Sequence, residues 1–405
     1  MFLAFAMAYF ISAALRTVTA TMAPSFTQEF SLQARDLGLL SGGYFLGFAA
    51  LQIPLGVWLD RFGPKRVILV MLSIAVMGCA AFALATQFSG LLFARVLCGL
   101  GVSVCLMAPL TAYRRWFNPE TQLRANSWML MTGSLGMLCA TLPVQAAMPV
   151  LGWRGIFWVL ALCVIITMVL IFCFVPSWRE AASDKNPQSV DTFQASPVSI
   201  SIWRHPAFMR MVPIGFFNYG GMIAIQTLWA GPWMTRMAGY TPAEAAAGLF
   251  AINLAMLINY SVWGWMNPKF ASRGWDAVWL MRFGLPFSLL ALPLAVWMAS
   301  DTALLPSLIV PIWLVWIFYF LSSAFVSLAQ PAVGMAFESH MAGRALTAYN
   351  LVIFMGVFCM QWGIGLGIDL FQWFGLAEAS AYRATFIVFW FCCIVSYFHF
   401  RWSKS

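Results

Sequence analysis

Long apolar runs separated by short polar stretches set the pattern of this chain. Twelve of them approach the roughly 20 residues that a helix needs to cross a bilayer. They lie near 1–23, 37–58, 66–86, 90–112, 125–148, 152–175, 209–235, 243–266, 278–299, 304–330, 345–368 and 380–400. Between the sixth and seventh runs, SWREAASDKNPQSVDTFQASPVSISIWRHP (177–206) is polar and rich in Ser, Pro and Asp, the composition of a flexible linker. The pattern predicts an all-α integral membrane protein of twelve transmembrane helices in two pseudo-symmetric bundles. These span 1–175 and 209–405, with the linker at 176–208.

Composition agrees: 62% of residues are hydrophobic and 9% charged, against about 25% charged in a soluble domain. The run starting at Met1 has no basic n-region and no small-residue cleavage site, so it reads as a retained helix rather than a signal peptide. Of the 22 Lys and Arg, sixteen fall in alternate loops and the C-terminus. Arg35, Arg154, Arg236 and Arg383 fall on the opposite side, and Arg16 and Arg95 inside helices. That bias places both termini and the linker in the cytoplasm, with the chain multi-pass in a plasma membrane of the bacterial inner type. The net charge of +9 is scattered through these loops rather than gathered in a patch, which excludes a nucleic-acid partner. Nine cysteines fall in or beside apolar runs without metal-site spacing, so they read as small buried hydrophobes and no metal site is expected.

The stretch GVWLDRFGPKR (56–66) gathers four charges between two apolar runs. Shifted by 208 residues it meets GWMNPKFASRG (264–274), which aligns Gly56 with Gly264, Arg61 with Lys269, Phe62 with Phe270 and Lys65 with Arg273. FNPETQLRA (117–125) is echoed in the same way by FESHMAGRA (337–345). Two six-helix halves with matching loops argue for duplication, and in transporters built so the substrate site lies between the repeats near the bilayer midplane.

Residues 56–66 resemble the loop 2–3 signature of the major facilitator superfamily, G-x-x-x-D-R-x-G-x-[KR]-[KR]. FARVLCGLG (93–101) resembles that family's helix-4 pattern, and GWRGIFWV (152–159) its usual opening of helix 6. The resemblance implies two bundles that rock about a central site, with residues 56–66 as a conformational latch. Gly56 and Gly63 would permit close packing and a tight turn. Asp60 would pair with arginines or cap a helix N-terminus across the half interface, and Arg61, Lys65 and Arg66 would meet carbonyl ends, acids or lipid phosphates. The plainer alternative is that the cluster only fixes topology.

Arg16 carries the most information. It stands eight residues before Pro24, so about 12 Å along the helix and near the middle of the hydrocarbon core, where a charge costs at least about 2.5–3.5 kcal/mol. Tyr9, Ser12, Arg16 and Thr19 share one helix face, predicted to line the cavity. All thirteen carboxylates fall toward one membrane side or the other, and His205, His340 and His399 sit at helix ends or in loops. A bound anion would therefore supply the charge that Arg16 lacks; the alternative is that Arg16 bonds backbone carbonyls. Arg16 also resembles the helix-1 arginine of the organophosphate/phosphate exchangers. Their second arginine, eight residues before the proline of helix 7, is Ala224 here, eight before Pro232. One arginine suits a carboxylate better than a phosphate.

Tyr44, Asn218, Gln226 and Asn350 are the preferred further substrate contacts. Ser41, Gln52, Asn253 and Gln361 are lesser candidates, and each is equally suited to bonding between helices. Arg95, five residues inside helix 4, reads as structural and within reach of the outer interface. Gly and Pro in FNYGGMIAIQTLWAGP (217–232) predict a bend in helix 7. No phosphate-binding G-x-x-x-x-G-K-[ST] loop and no nucleophile–base constellation is present. The sequence therefore reads as a secondary transporter rather than an enzyme: a monomer without cofactors, moving a small organic anion by alternating access, driven by an ion or solute gradient. A co-transported proton or cation is compatible with it. The rival readings are a proton-coupled drug exporter and a transporter-like membrane sensor.

Overall fold

In lipid a backbone must satisfy its own hydrogen bonds, so apolar runs of this length form helices. The computed structural model describes residues 1–176, 199–298 and 312–403, and the described residues are helical throughout apart from short turns. They make twelve helical passes in order. α1 is Phe2–Phe30, α2 is Ala34–Ala50 continued by Gln52–Phe62, and α3 is Pro64–Leu84. α4 is Phe88–Val102 continued by Met107–Trp116, and α5 is Pro119–Cys139 continued by 142–151. After Gly152, where the helix Leu142–Phe174 folds back with φ 60° and ψ 172°, α6 runs over 153–174. α7 runs from Pro206 to Arg236, α8 is Pro242–Ser272 and α9 is Ala277–Met298. α10 runs from Ile312 to Met335, α11 is Ser339–Trp373 and α12 is Glu378–Trp402. Nine helices among the described residues are long and apolar enough to cross a bilayer, and α2 makes a tenth if its two segments, bent by 46°, count as one span.

Several expected boundaries shift, each for a local reason. α2 breaks at Leu51 because Pro54 has no N–H to give the Ala50 carbonyl. The fifth run, expected at 125–148, starts at Pro119 and is interrupted at 140–141 before Leu142 and Pro143 restart it. In the expected linker, residues 177–198 lie outside the described residues, whereas Ser199–Arg204 form a short helix ahead of α7. α7 is not simply bent: two π-helical segments, Ile214–Tyr219 and Ile225–Trp229, interrupt it. Each extra residue in a turn rotates the following side chains about the axis by roughly 100°.

Two apolar cores result, one in α1–α6 and one in α7–α12. In the first, Phe82 stacks on Phe157 at 4.0 Å and meets Trp153 edge-on at 5.7 Å. In the second, Trp233 packs on Phe386 at 4.7 Å and on Trp316 at 5.9 Å. The halves meet along α1 with α7, α2 with α11, and α5 with α8. We call the end that carries both described chain ends the terminal face, and the opposite end the distal face.

The echoed loops fold alike. The α2–α3 turn pivots on Gly63 at φ 78°, and the α8–α9 turn on Gly274 at φ 77°, a region that only glycine enters without strain. The equivalent glycines stand 211 residues apart rather than in the 208-residue register of the flanking charges, so the second copy makes its turn three residues later. Gly56, by contrast, is exposed and has open space around the position of a Cβ, which removes the close-packing role expected of it in this conformation.

Candidate functional site

Arg16 lies midway along α1, fourteen residues from either helix end. Its guanidinium Nη2 approaches only a soft acceptor, the Met137 sulfur on α5 at 3.9 Å, and its buried Nε has no hydrogen-bond partner among the described residues. Such a group normally finds an oxygen, since leaving a buried donor of a charged group unmet costs more than a neutral one. No carboxylate among the described residues makes an ion pair with it: the ion pairs found, Arg35–Asp36, Arg35–Asp369, Arg154–Glu29 and Arg236–Glu378, all lie at the distal face.

Three tyrosines lie within reach of the charge. Tyr44, Tyr219 and Tyr260 each lie within electrostatic reach of Arg16, and Tyr9 lies within the same reach of Tyr219 and Tyr260. The cluster therefore draws on α1, α2, α7 and α8, both halves together. Tyr9 is held in place by α5, where Gly133 leaves room for its ring. Tyr260 retains 36% of its surface. A fixed guanidinium fork with phenol O–H donors beside it is chemistry suited to a carboxylate.

Most of the other proposed contacts are engaged elsewhere. Ser12 is buried and donates to the Val102 carbonyl of α4 at 3.5 Å, and Thr19 is buried with its hydroxyl unpartnered among the described residues. The Tyr44 hydroxyl donates to the Ser12 carbonyl at 3.0 Å, and Arg95 lies over its ring at 5.1 Å. Gln226 donates to Asn253 at 3.0 Å, Ser396 donates to Asn218 at 2.8 Å, and Gln330 bonds Asn350. These bonds tie α7 to α8, α7 to α12 and α10 to α11, each within the second half. Gln361 spends its amide on Thr227 at 2.9 Å, and the Gln52 amide bonds the Phe48 carbonyl at 3.3 Å. Ser41 is buried with its hydroxyl unmet among the described residues. Arg95 does not reach an interface: it is fully buried and donates to the Leu15 carbonyl at 2.9 Å, which ties α4 to α1 beside the Arg16 turn.

Tyr219, Tyr260 and Met137 do not stand out in the sequence. Tyr219 lies in the stretch 217–232, but the π-helical segment ending at Tyr219 changes which side chains face inward, and no regular helical wheel shows that.

The halves are closed above this site. α2 and α11 approach so tightly that a Cβ on Gly38 would strike the Gln361 carbonyl, and one on Gly365 the Ala34 carbonyl. Further along, one turn past Tyr44 toward the terminal face, Phe354 of α11 packs on Phe48 of α2 at 4.5 Å. Asp369, near the distal end of α11, accepts from the backbone N–H groups of Ala34 at 3.2 Å and Arg35 at 3.0 Å. It thereby caps the first turn of α2, where N–H groups have no partner within the helix and the helix dipole favours an anion. The Arg35 guanidinium adds a loose pair at 3.9 Å. Above the closure opens a vestibule of about 1170 Å³, lined among others by Arg35, Asp369, Arg236, Glu378, Trp373 and Tyr382. At the terminal face, Met107–Trp116 of α4 and Ala329–Met335 of α10 pack chiefly within their own halves. Around the expected latch, Asp60, Arg61 and Arg66 are exposed, Arg61 lies over Phe62 at 5.2 Å, and Lys65 lies over Phe172 of its own half at 5.3 Å.

A family model described as Major Facilitator Superfamily matches residues 5–360. The 3-(3-hydroxy-phenyl)propionate transporter of Escherichia coli is 24% identical over 277 residues, 67% of this chain and 64% of that protein. The cis,cis-muconate transport protein of Acinetobacter baylyi is 23% identical over 358 residues, 85% of this chain and 83% of that one. Among solved structures, a bacterial homologue of the human lysosomal transporter Spinster, captured inward-facing and occupied, superposes with a TM-score of 0.80. It is 19% identical and covers 99% of this chain and 96% of its own, a likeness of fold.

The Asp369 cap carries a prediction. Asp369→Asn removes the anion from the α2 N-terminus, a contact worth about 1 kcal/mol, so the distal closure should open about fivefold more often. A cysteine placed at the buried vestibule residue Ala23 is then alkylated about fivefold faster from the distal side; an unchanged rate contradicts the capping role.

Proposed function

We propose that this chain, which belongs to the major facilitator superfamily, is a secondary carrier for a small organic carboxylate, moved by alternating access between its two halves. One observation carries the reading: a guanidinium midway through the bundle, without an acidic partner among the described residues, with tyrosines of the second half within its electrostatic reach. A carboxylate entering beside Met137 would accept from Nε and Nη2 of Arg16 and from the hydroxyls of Tyr9, Tyr219 and Tyr260. Because these groups come from both halves, a bound anion would draw the halves together. That is the differential contact a ligand needs in order to shift a conformational equilibrium.

The two named relatives are transporters of organic acids, and that agrees with the charge on Arg16. We place the terminal face in the cytoplasm of a bacterial inner-type membrane, following the Lys and Arg bias, with residues 1–175 and 209–405 as the moving halves. The distal closure then makes the described conformation inward-facing. We assign Asp60 and its neighbours to the opposite closure, formed when the terminal face shuts, with the carrier acting as a monomer.

A thermal-shift screen tests the substrate class. A ligand that binds only the folded state raises its melting temperature by mass action, so carboxylates, phosphate esters, inorganic anions and cationic drugs are compared on wild type and Arg16→Ala. Carboxylates should protect wild type and not the variant. Protection by cations alone, or equal protection of Arg16→Ala, would favour a drug exporter, and tight binding without vesicle flux would favour a sensor.

Asp60→Asn should slow transport while leaving carboxylate affinity within severalfold, since the latch acts on the conformational equilibrium and not on the cavity. A large loss of affinity at unchanged turnover would contradict that assignment.

A further inference from the structure

Arg16 and Arg95 put two guanidinium groups into the middle of the bundle, and all carboxylates and imidazoles among the described residues stand at its ends. Glu29, Asp36, Glu244, Asp369 and Glu378 belong to the distal turns, and Asp60, Glu120, Asp276 and Glu338 to the terminal ones. His205 precedes α7, His340 opens α11 and His399 closes α12, again at the terminal face. Met137 approaches Arg16, and Tyr44, Tyr219 and Tyr260 lie within electrostatic reach of it, with Arg95 behind Tyr44 and Cys105 within the same reach of Tyr44. Among the described residues, no carboxylate or imidazole stands beside Arg16, and the buried thiols Cys79 and Cys98, 3.9 Å apart, stand with Arg95 instead.

A carrier must pass through a state closed at both faces, and there Arg16 is stripped of water. With an anion bound, the charge is met by the carboxylate. With the site empty, the contact that meets it is the Met137 sulfur, and Arg95 spends an N–H on the neighbouring Leu15 carbonyl rather than on an acid. A charge held so at membrane depth slows the empty crossing by about one to two orders of magnitude relative to the loaded one. A proton-coupled carrier avoids this penalty with a carboxylate that pairs the arginine when the site is empty and is protonated when it is full. The described interior has no such group.

We infer that the protein is an obligatory exchanger: it reorients only when an organic anion neutralises Arg16, so one carboxylate leaves for each that enters and no proton travels with it. This rests on the reading of Arg16 as the anion's anchor, and the test separates the two. Purified protein is reconstituted into liposomes, and labelled cis,cis-muconate, glucuronate and 3-(3-hydroxyphenyl)propionate are offered outside at about pH 7.5, where all three are ionised, one at a time. The interior holds either buffer or the same unlabelled anion.

At least one of these anions should enter about tenfold faster into loaded vesicles than into empty ones. An inside-alkaline pH gradient should change entry into empty vesicles less than twofold. Empty vesicles that accumulate label under the pH gradient would overturn the exchange mechanism and leave the anion site standing. Failure of all three anions to counterflow, with flux of a lipophilic cation instead, would overturn the anion site itself. Met137→Glu gives an independent arm, because it sets a carboxylate against Arg16. It should raise entry into empty vesicles and make that entry pH-dependent while loaded vesicles still show counterflow. Counterflow retained with empty-vesicle entry at the wild-type level would contradict the proposed penalty.

Discussion

An uncompensated positive charge halfway through an apolar bundle is the constraint around which this protein is arranged. Placing Arg16 there costs several kcal/mol relative to an apolar residue, and the groups near it donate or stay neutral: Met137 in contact, with Tyr219 and Tyr260 within electrostatic reach. Arg95 deepens the imbalance, with one N–H on the Leu15 carbonyl, its face on Tyr44, and Nε and Nη2 unmet among the described residues. Under the proposed reading these charges hold the anion, and binding is tied to motion because Tyr9 belongs to one half and Tyr219 and Tyr260 to the other.

The rest of the bundle converts that site into a passage with two ends. At the distal face, closure needs backbone contact between α2 and α11, which the bare Cα positions of Gly38 and Gly365 allow. Asp369 then holds the first N–H groups of α2. A carboxylate on one half capping a helix of the other must let go whenever the distal face opens. We assign the matching part at the terminal face to the loop 56–66, whose turn depends on Gly63.

Much of this is legible from residue order. The period of apolar runs and the duplicated loops specify two six-helix halves, since both follow from lipid thickness and backbone satisfaction. Arg16 stands out for the same reason, as a charge at a depth where charges are expensive. The tyrosine cluster is less accessible. The two π-helical segments of α7 alter the phase of Tyr219, and the approach of Tyr260 to Arg16 depends on how α8 leans on the first half. Asn218, Gln226 and Asn350 look alike in the sequence because an amide in a membrane helix serves a ligand or a neighbouring helix equally well, and only their partners Ser396, Asn253 and Gln330 show which bond each makes here. The distal cap lies 334 residues from its target along the chain, and no local pattern announces it.

The most direct examination of the central claim is a structure determined with a protecting carboxylate bound. The account predicts the carboxylate oxygens within hydrogen-bond distance of Nε and Nη2 of Arg16, with Tyr9, Tyr219 and Tyr260 closing round them and the guanidinium turned away from the Met137 sulfur. A ligand seated elsewhere, with Arg16 still turned to that sulfur, would contradict it.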